Sequence, residues 1–213
     1  MKKVVVVAFA LALSTILAMV APAMAAKPTV VPCAFTASAT PPLLDPGKVW
    51  WTGDGTILHV RGLVVKYGLF MGANLQIGSM EMITDMDFNT ETGEGNAVRE
   101  WTMTFIEPLN YPAGTPANVP NPYGIGTLEG KEVGKVTSVY ALVRPESPQL
   151  MMPGDYTGLL VATHGTGDFE KAKLMAETVG APFNFVSNRW TERIRVGWNG
   201  VDPVITGELT FHG

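Results

Sequence analysis

Between Met80 and Phe88 the chain alternates, with Met80, Met82, Met86 and Phe88 on one side and Glu81, Asp85 and Asp87 on the other. That period of two belongs to a strand with one face in a core and one in water. After a turn through Thr92-Gly93-Glu94-Gly95 the pattern resumes, Trp101, Met103 and Phe105 against Glu100, Thr102 and Thr104, which predicts a hairpin. Upstream, Val49 to Thr52 reads as a strand turning at Gly53-Asp54-Gly55, and Thr56 to Val65 as its continuation with a bulge at Gly62. Val136 to Val143 is apolar on both faces, the mark of a central strand. Trp190 to Trp198 alternates again, and Val204 to Phe211 closes the chain with Ile205, Leu209 and Phe211 on one side.

Around these strands the punctuation is proline and glycine. Prolines at 28, 32, 41, 42 and 46 predict an extended N-terminal arm that contributes a strand over Ala34 to Ala39. Prolines at 108, 112, 116, 120 and 122 predict a long surface loop between Glu107 and Gly124, and Pro145 to Gly154 a second irregular connection. The sharpest local signal runs from Gly158 to Ala176. Leu159 to Thr163 reads as a buried strand, Gly165 and Gly167 permit a tight turn, and Asp168 can cap a short amphipathic helical segment carrying Phe169, Leu174 and Met175. Thr-Gly-acid recurs at Thr52, Thr92, Thr166 and Thr206, but the flanks differ, so reused turn chemistry explains it better than duplication.

Many strands at short spacing and no βαβ rhythm predict an all-β fold. The expectation is an antiparallel, closed or nearly closed β-barrel of about eight strands with one short helical segment. Residues 1–25 read as a signal peptide: Lys2 and Lys3, an apolar run from Val4 to Val20, then Ala23-Met24-Ala25 before a cut. Residues 26–48 form the proline-rich arm and 49–213 the barrel domain. The protein is accordingly expected to be secreted or periplasmic, and free of the membrane after cleavage. Losing two lysines and no acids takes the formal charge from -4 to -6, and no basic cluster remains, which argues against a nucleic-acid partner. Cys33 is the only cysteine, so no internal disulfide can form and packing must hold the fold.

The segment Gly165-Thr166-Gly167-Asp168-Phe169, flanked by Leu159-Leu160-Val161 and Ala172-Lys173, resembles the Gly-Thr-Gly-x-Phe turn of the allene oxide cyclase and dirigent-like barrels, and small secreted barrels with no assigned activity. The motif covers five residues, and the resemblance implies fold rather than activity. In that superfamily an eight-stranded barrel holds an apolar pocket for cyclisation or radical coupling, often in a homodimer or trimer. Gly165 and Gly167 carry over as turn residues, and nothing catalytic does.

No complete catalytic motif is present. Gly165-x-Gly167 lacks the third glycine of a dinucleotide loop, His59, His164 and His212 share no ligand spacing, and no Gly-x-Ser-x-Gly occurs, so no cofactor and no metal is expected. The methionines at 71, 80, 82, 86 and 103 read as barrel lining. Alternation places Trp190, Glu192, Ile194, Val196 and Trp198 inward, which singles out Glu192 as a buried carboxylate and candidate acid or base. The structural reading of Glu192 is a solvent-facing strand end or an ion pair with Arg99, which shares a face with Trp101 and Met103. Candidate ligand-binding residues are Arg99, Trp101, Met103, Tyr140 and Trp190. Three functions fit: an exported barrel binding a small apolar or aromatic molecule, an isomerase, cyclase or lyase in the same pocket, or a structural module with a solid core.

Overall fold

The computed structural model describes residues 27–38, 43–45, 47–54, 56–72, 75–89, 91–110, 120–137, 149–151, 156–180, 184–188, 193–197 and 202–212, with backbone alone at 43–44, 109–110, 149–151, 184–188 and 193–197. The strands are β1 Thr29–Ser38, β2 Leu43–Asp45, β3 Lys48–Trp51, β4 Ile57–Met71, β5 Leu75–Asn89, β6 Glu94–Asn110, β7 Gly126–Thr137, β8 Gln149–Met151, β9 Tyr156–Gly167, β10 Lys173–Gly180, β11 Asn184–Asn188, β12 Arg193–Gly197 and β13 Val204–Phe211. Eight of them form a closed antiparallel barrel in the order β1-β13-β10-β9-β7-β6-β5-β4, with β4 returning to β1. Closure leaves no open edge in the wall.

The N-terminal arm is part of that wall. β1 pairs along its length with β13 from Thr29↔Phe211 to Thr36↔Val204, and its last residues Thr36 to Ser38 turn onto β4 at Gly68 to Phe70. β2 and β3 then occupy the same edge of β4 further along, so three successive segments share one long neighbour. β4 can serve all of them because it bulges at Gly62, whose φ of 68° and register shift move the inward set from Leu58 and Val60 to Leu63, Val65, Tyr67 and Leu69.

Inside, alternation does what the sequence predicts for β5 and β6: Met80, Met82, Met86, Phe88, Trp101, Met103 and Phe105 are buried. One end is filled by rings. Phe35 packs edge-on against Tyr123 at 5.0 Å and against Phe105 at 5.8 Å, and Phe105 lies 4.6 Å from Phe169. Tyr123 is held there by Asn121, whose Nδ2 donates to the carbonyls of Ile77 and Ile106 and whose Oδ1 accepts from the Tyr123 amide.

Several expectations change. No helix occurs among the described residues. Where a helical segment is predicted, Asp168 to Lys171 makes a turn and β10 follows, burying Leu174, Ala176 and Thr178 and exposing Met175 and Glu177. Lys, Leu, Met, Ala and Glu favour helix locally, but hydrogen bonding to β9 and β13 on both sides outweighs that weak preference. Leu159 and Val161, read as buried, face outward, and Leu160 alone of that trio is in the core. β6 runs on to Asn110, with Pro108 buried, so the proline-rich stretch begins as wall, and Asn121 and Tyr123 beyond it are core. The central strand expected over Val136 to Val143 is the end of β7 at Val136 and Thr137, and residues 138–143 lie outside the described residues. The signal-peptide segment 1–25 also lies outside them.

The connections from β7 to β9 and from β10 to β13 leave the barrel at one end, because Val136 pairs with Tyr156, Gly180 with Tyr156 and Val179 with Val204. Their strands β8, β11 and β12 pair with each other in a separate three-stranded sheet, order β12-β11-β8.

Candidate functional site

β7 decides what the interior can do. Its inward residues are Leu128, Gly130, Glu132, Gly134 and Val136, while Glu129, Lys131, Val133 and Lys135 face water. Glu132 is 0% exposed, and the register sets it beside Arg99 of β6, which is 5% exposed and stands beside Thr84 of β5. Arg99 Nη1 donates to Glu132 Oε2 at 3.2 Å. The guanidinium carbon also sits over the Tyr156 ring, 3.8 Å from its centroid.

Three glycines make room for this group. A Cβ on Gly130 would strike the Trp101 ring, one on Gly134 the Tyr156 hydroxyl, and one on Gly158 both Glu132 Oε1 and the Tyr156 hydroxyl. Glu132 Oε1 and Tyr156 Oη therefore lie close to one another against Gly158, and the carboxylate acts on the phenol as a hydrogen-bonding neighbour. Neither oxygen makes a hydrogen bond of good geometry among the described residues, and the same is true of Arg99 Nε, Trp101 Nε1, Thr84 Oγ1, Thr178 Oγ1 and Asp202 Oδ1, all buried.

Burial and charge set the protonation states. Burial works against charge on Arg99, but Glu132 together with Tyr156 and Tyr67 outweighs that and holds the guanidinium above its ordinary value. Burial pushes the Tyr67 phenol up to about 12, and Tyr156 is raised for the same reason, with Glu132 opposing ionisation and Arg99 favouring it in both. Both rings are therefore neutral donors at ordinary pH. Around Arg99 the described residues thus present the Arg99–Glu132 ion pair, the Tyr67 and Tyr156 phenols, the Thr84 and Thr178 hydroxyls and the Trp101 indole N–H, with one buried oxygen of Asp202 besides.

Of the residues singled out from sequence, Arg99, Trp101 and Met103 face the interior. Glu192, Tyr140 and Trp190 lie outside the described residues. The carboxylate that Arg99 binds is Glu132, which the sequence reading passed over. No group of three or more His, Cys, Asp or Glu side chains placed to hold a metal occurs among the described residues. His59 is on the outer face, its Nδ1 2.6 Å from Asp87 Oδ1 and its ring stacked on Trp50 at 5.1 Å. Cys33 is buried, and burial pushes its thiol up to about 11, with Glu208 adding to the rise, which makes it a poor nucleophile. No family model, curated protein or solved structure matches the chain.

Proposed function

We propose that this is an exported barrel that binds one small, uncharged aromatic or apolar molecule carrying a hydroxyl or carbonyl group, seated against Arg99, Glu132 and Tyr156. The observation that carries the reading is the gathering of unpartnered buried polar atoms, Arg99 Nε, Trp101 Nε1, Glu132 Oε1 and Tyr156 Oη above all, around one cross-section of the interior. Native interiors leave few such atoms unmatched. A bound group with one acceptor and one donor would match several of them, and Met80, Met82, Met86 and Met103 offer its apolar body soft, adaptable contact. An anion is disfavoured, because Arg99 already serves Glu132. Because rings fill the opposite end, the reading takes entry to be at the end where the β7–β9 and β10–β13 connections leave.

Export rests on the pattern from Lys2 to Ala25 and on a fold whose one thiol is solitary and buried. A barrel free in water rather than in lipid is favoured by its outer face, where Glu81, Asp85, Glu100, Glu129, Lys131, Lys135 and Glu177 interrupt any apolar girdle. The turn at Gly165 to Phe169 supports kinship with the allene oxide cyclase and dirigent-like barrels through architecture alone, since barrels host unrelated activities. A second reading, isomerisation by proton transfer in the same place, is favoured by the closeness of Glu132 Oε1 and Tyr156 Oη beside Gly158.

Native mass spectrometry of protein purified from its own host tests the binding reading. The expected spectrum shows a small-molecule adduct that denaturation releases and that Tyr156→Phe, which keeps the Arg99–Glu132 pair, loses while remaining folded. A bare chain from the host, with an unchanged spectrum for Tyr156→Phe, would sink it.

A further inference from the structure

On the outer face of the barrel, at the end where the β5–β6 hairpin turns, strand register lays two polar rows side by side. Trp50, His59, Asp87, Asn96 and Lys135 stand level on β3 to β7, and nearer the turn Ile57, Asn89, Glu94 and Thr137 stand level on β4 to β7. An open hollow of about 550 Å³ lies against them, lined by Asp87, Asn89, Glu94, Asn96, Lys135 and Thr137 among others. That volume is in the range of small-molecule sites.

Beside the hollow stands a large aromatic ring that is held in place but not covered. Trp50 is 44% exposed, and both groups that fix it belong to β4: the His59 ring stacks on it at 5.1 Å, and the Arg61 guanidinium carbon lies 5.8 Å from its centroid. These two are themselves tied down. His59 Nδ1 is 2.6 Å from Asp87 Oδ1, Arg61 Nη2 donates to the same oxygen at 2.7 Å, and Arg61 Nη1 donates to the carbonyls of Val60 and Met86. A ring fixed before contact loses little freedom on binding.

The hollow offers donors and acceptors in mixture. Both bonds to Asp87 use Oδ1, which leaves Oδ2 to accept, and Glu94 accepts beside it. Asn89 Oδ1 is taken by the amides of Glu91 and Thr92, so its Nδ2 remains to donate, together with Lys135 and the amide of Asn96. Such a set disfavours a phosphate, which needs a basic cluster, and fits hydroxyls, which donate and accept at once. A saccharide carries hydroxyls on its rim and an apolar C–H face that lies flat on an indole. Neighbouring strands are roughly 4.8 Å apart, close to the width of one pyranose ring, so Trp50 on β3 and the hollow on β5 to β7 are about two or three sugar units apart.

We propose that the outer face from Trp50 to Lys135 binds a neutral oligosaccharide, with one pyranose ring seated on Trp50 and the following units hydrogen-bonded by Asp87, Asn89, Asn96 and Lys135. The site lies outside the wall, so the proposal stands apart from what the interior binds.

The test is a titration of isotope-labelled protein with cellotriose, maltotriose, mannotriose and chitotriose, each to tens of millimolar, followed in the amide and indole NMR spectrum. The Trp50 indole signal is identified by its loss in Trp50→Ala. At least one trisaccharide should move that signal together with those of Asp87, Asn89 and Asn96, and should bind at least tenfold more tightly than its own monosaccharide. Trp50→Ala and Asn96→Ala, both at exposed positions, should each weaken binding at least tenfold while circular dichroism stays that of the parent. Silence towards all four sugars, shifts confined to other residues, equal affinity for the monosaccharide, or undiminished binding by both variants would each overturn the proposal. So would binding of heparin alone, abolished by moderate salt, which would make the face a polyanion site.

Discussion

Removing one member of the buried pair should cost far more than removing both. In Arg99→Met, Glu132 is left at 0% exposure without its cation, and Oε2 loses the Nη1 donor at 3.2 Å. Stranding a buried charge in this way costs about 3–5 kcal/mol. Glu132→Leu should cost about as much, because Arg99 loses the one carboxylate it binds among the described residues and keeps the Tyr156 ring, 3.8 Å away. Against a total stability of ~5–15 kcal/mol, either loss is a large share. The double variant Arg99→Met/Glu132→Leu leaves no charge behind, and replacing such a pair by apolar groups is often neutral or stabilising by about 1–4 kcal/mol. The four proteins form a double-mutant cycle, read by guanidinium unfolding followed through tryptophan fluorescence. The expected coupling energy is about 3 kcal/mol or more. If the double variant loses the sum of the two single losses, the pair is not coupled. If each single change costs less than about 1 kcal/mol, the interior is wet enough to solvate a lone charge, and the desolvated site argued above does not exist.

Two further predictions concern the turns and the outer face. Gly167 has φ of 63° and a Cβ there would also run into the Ile125 carbonyl oxygen, so Gly167→Ala should lower the unfolding free energy by at least roughly 1–2 kcal/mol; Gly165→Ala should be destabilising as well, because its Cβ would run into the Phe169 carbonyl oxygen, and unfolding curves like the parent's would refute both. Burial alone would raise the Asp87 carboxyl, but hydrogen bonds from His59 and Arg61 outweigh it and hold the group below its ordinary 3.8. A depressed carboxylate stabilises fully above that ordinary value and loses its contribution as pH falls through the folded one. Asp87→Asn should thus cost under about 1 kcal/mol at neutral pH, given a half-exposed pair, with the difference from wild type vanishing well below pH 3.8. A difference that persists unchanged into strong acid would contradict this assignment.

The parts of the barrel that are legible in the sequence are those whose inward residues are large. Met80 to Phe88 and Trp101 to Phe105 announce their faces because every inward position except Thr84 is a methionine or a ring. β7 does not, because Gly130 and Gly134 flank Glu132 and contribute no hydrophobic signal, although their lack of a side chain is what admits Trp101, Tyr156 and the carboxylate. The spacing Gly130-x-Glu132-x-Gly134, with lysines between, was the available clue, and Arg99 on the neighbouring inward face pointed to its partner. β9 misleads in the opposite sense: Leu159-Leu160-Val161 looks uniformly buried, yet only its middle residue faces inward. An exposed apolar face and a buried one have the same composition, so sequence alone could not separate them. The β10 error arises because helix-forming residues fill a strand whose neighbours were not yet known.

The way the wall is shut sets the order in which this chain can fold. β1 leaves the ribosome before any other wall strand, yet its main neighbour is β13, the last, with Thr29 opposite Phe211. Its only other pairing is the short contact of Thr36 to Ser38 with β4. The local hairpins β4–β5, β5–β6 and β9–β10 can form as they emerge, but the contacts that join the ends span nearly the whole sequence and carry the greatest loop-closure entropy. High contact order makes that final step slow. Until Val204 to Phe211 is made, the chain is an open curl with two unpaired rims, and only the completed polypeptide can become a ring.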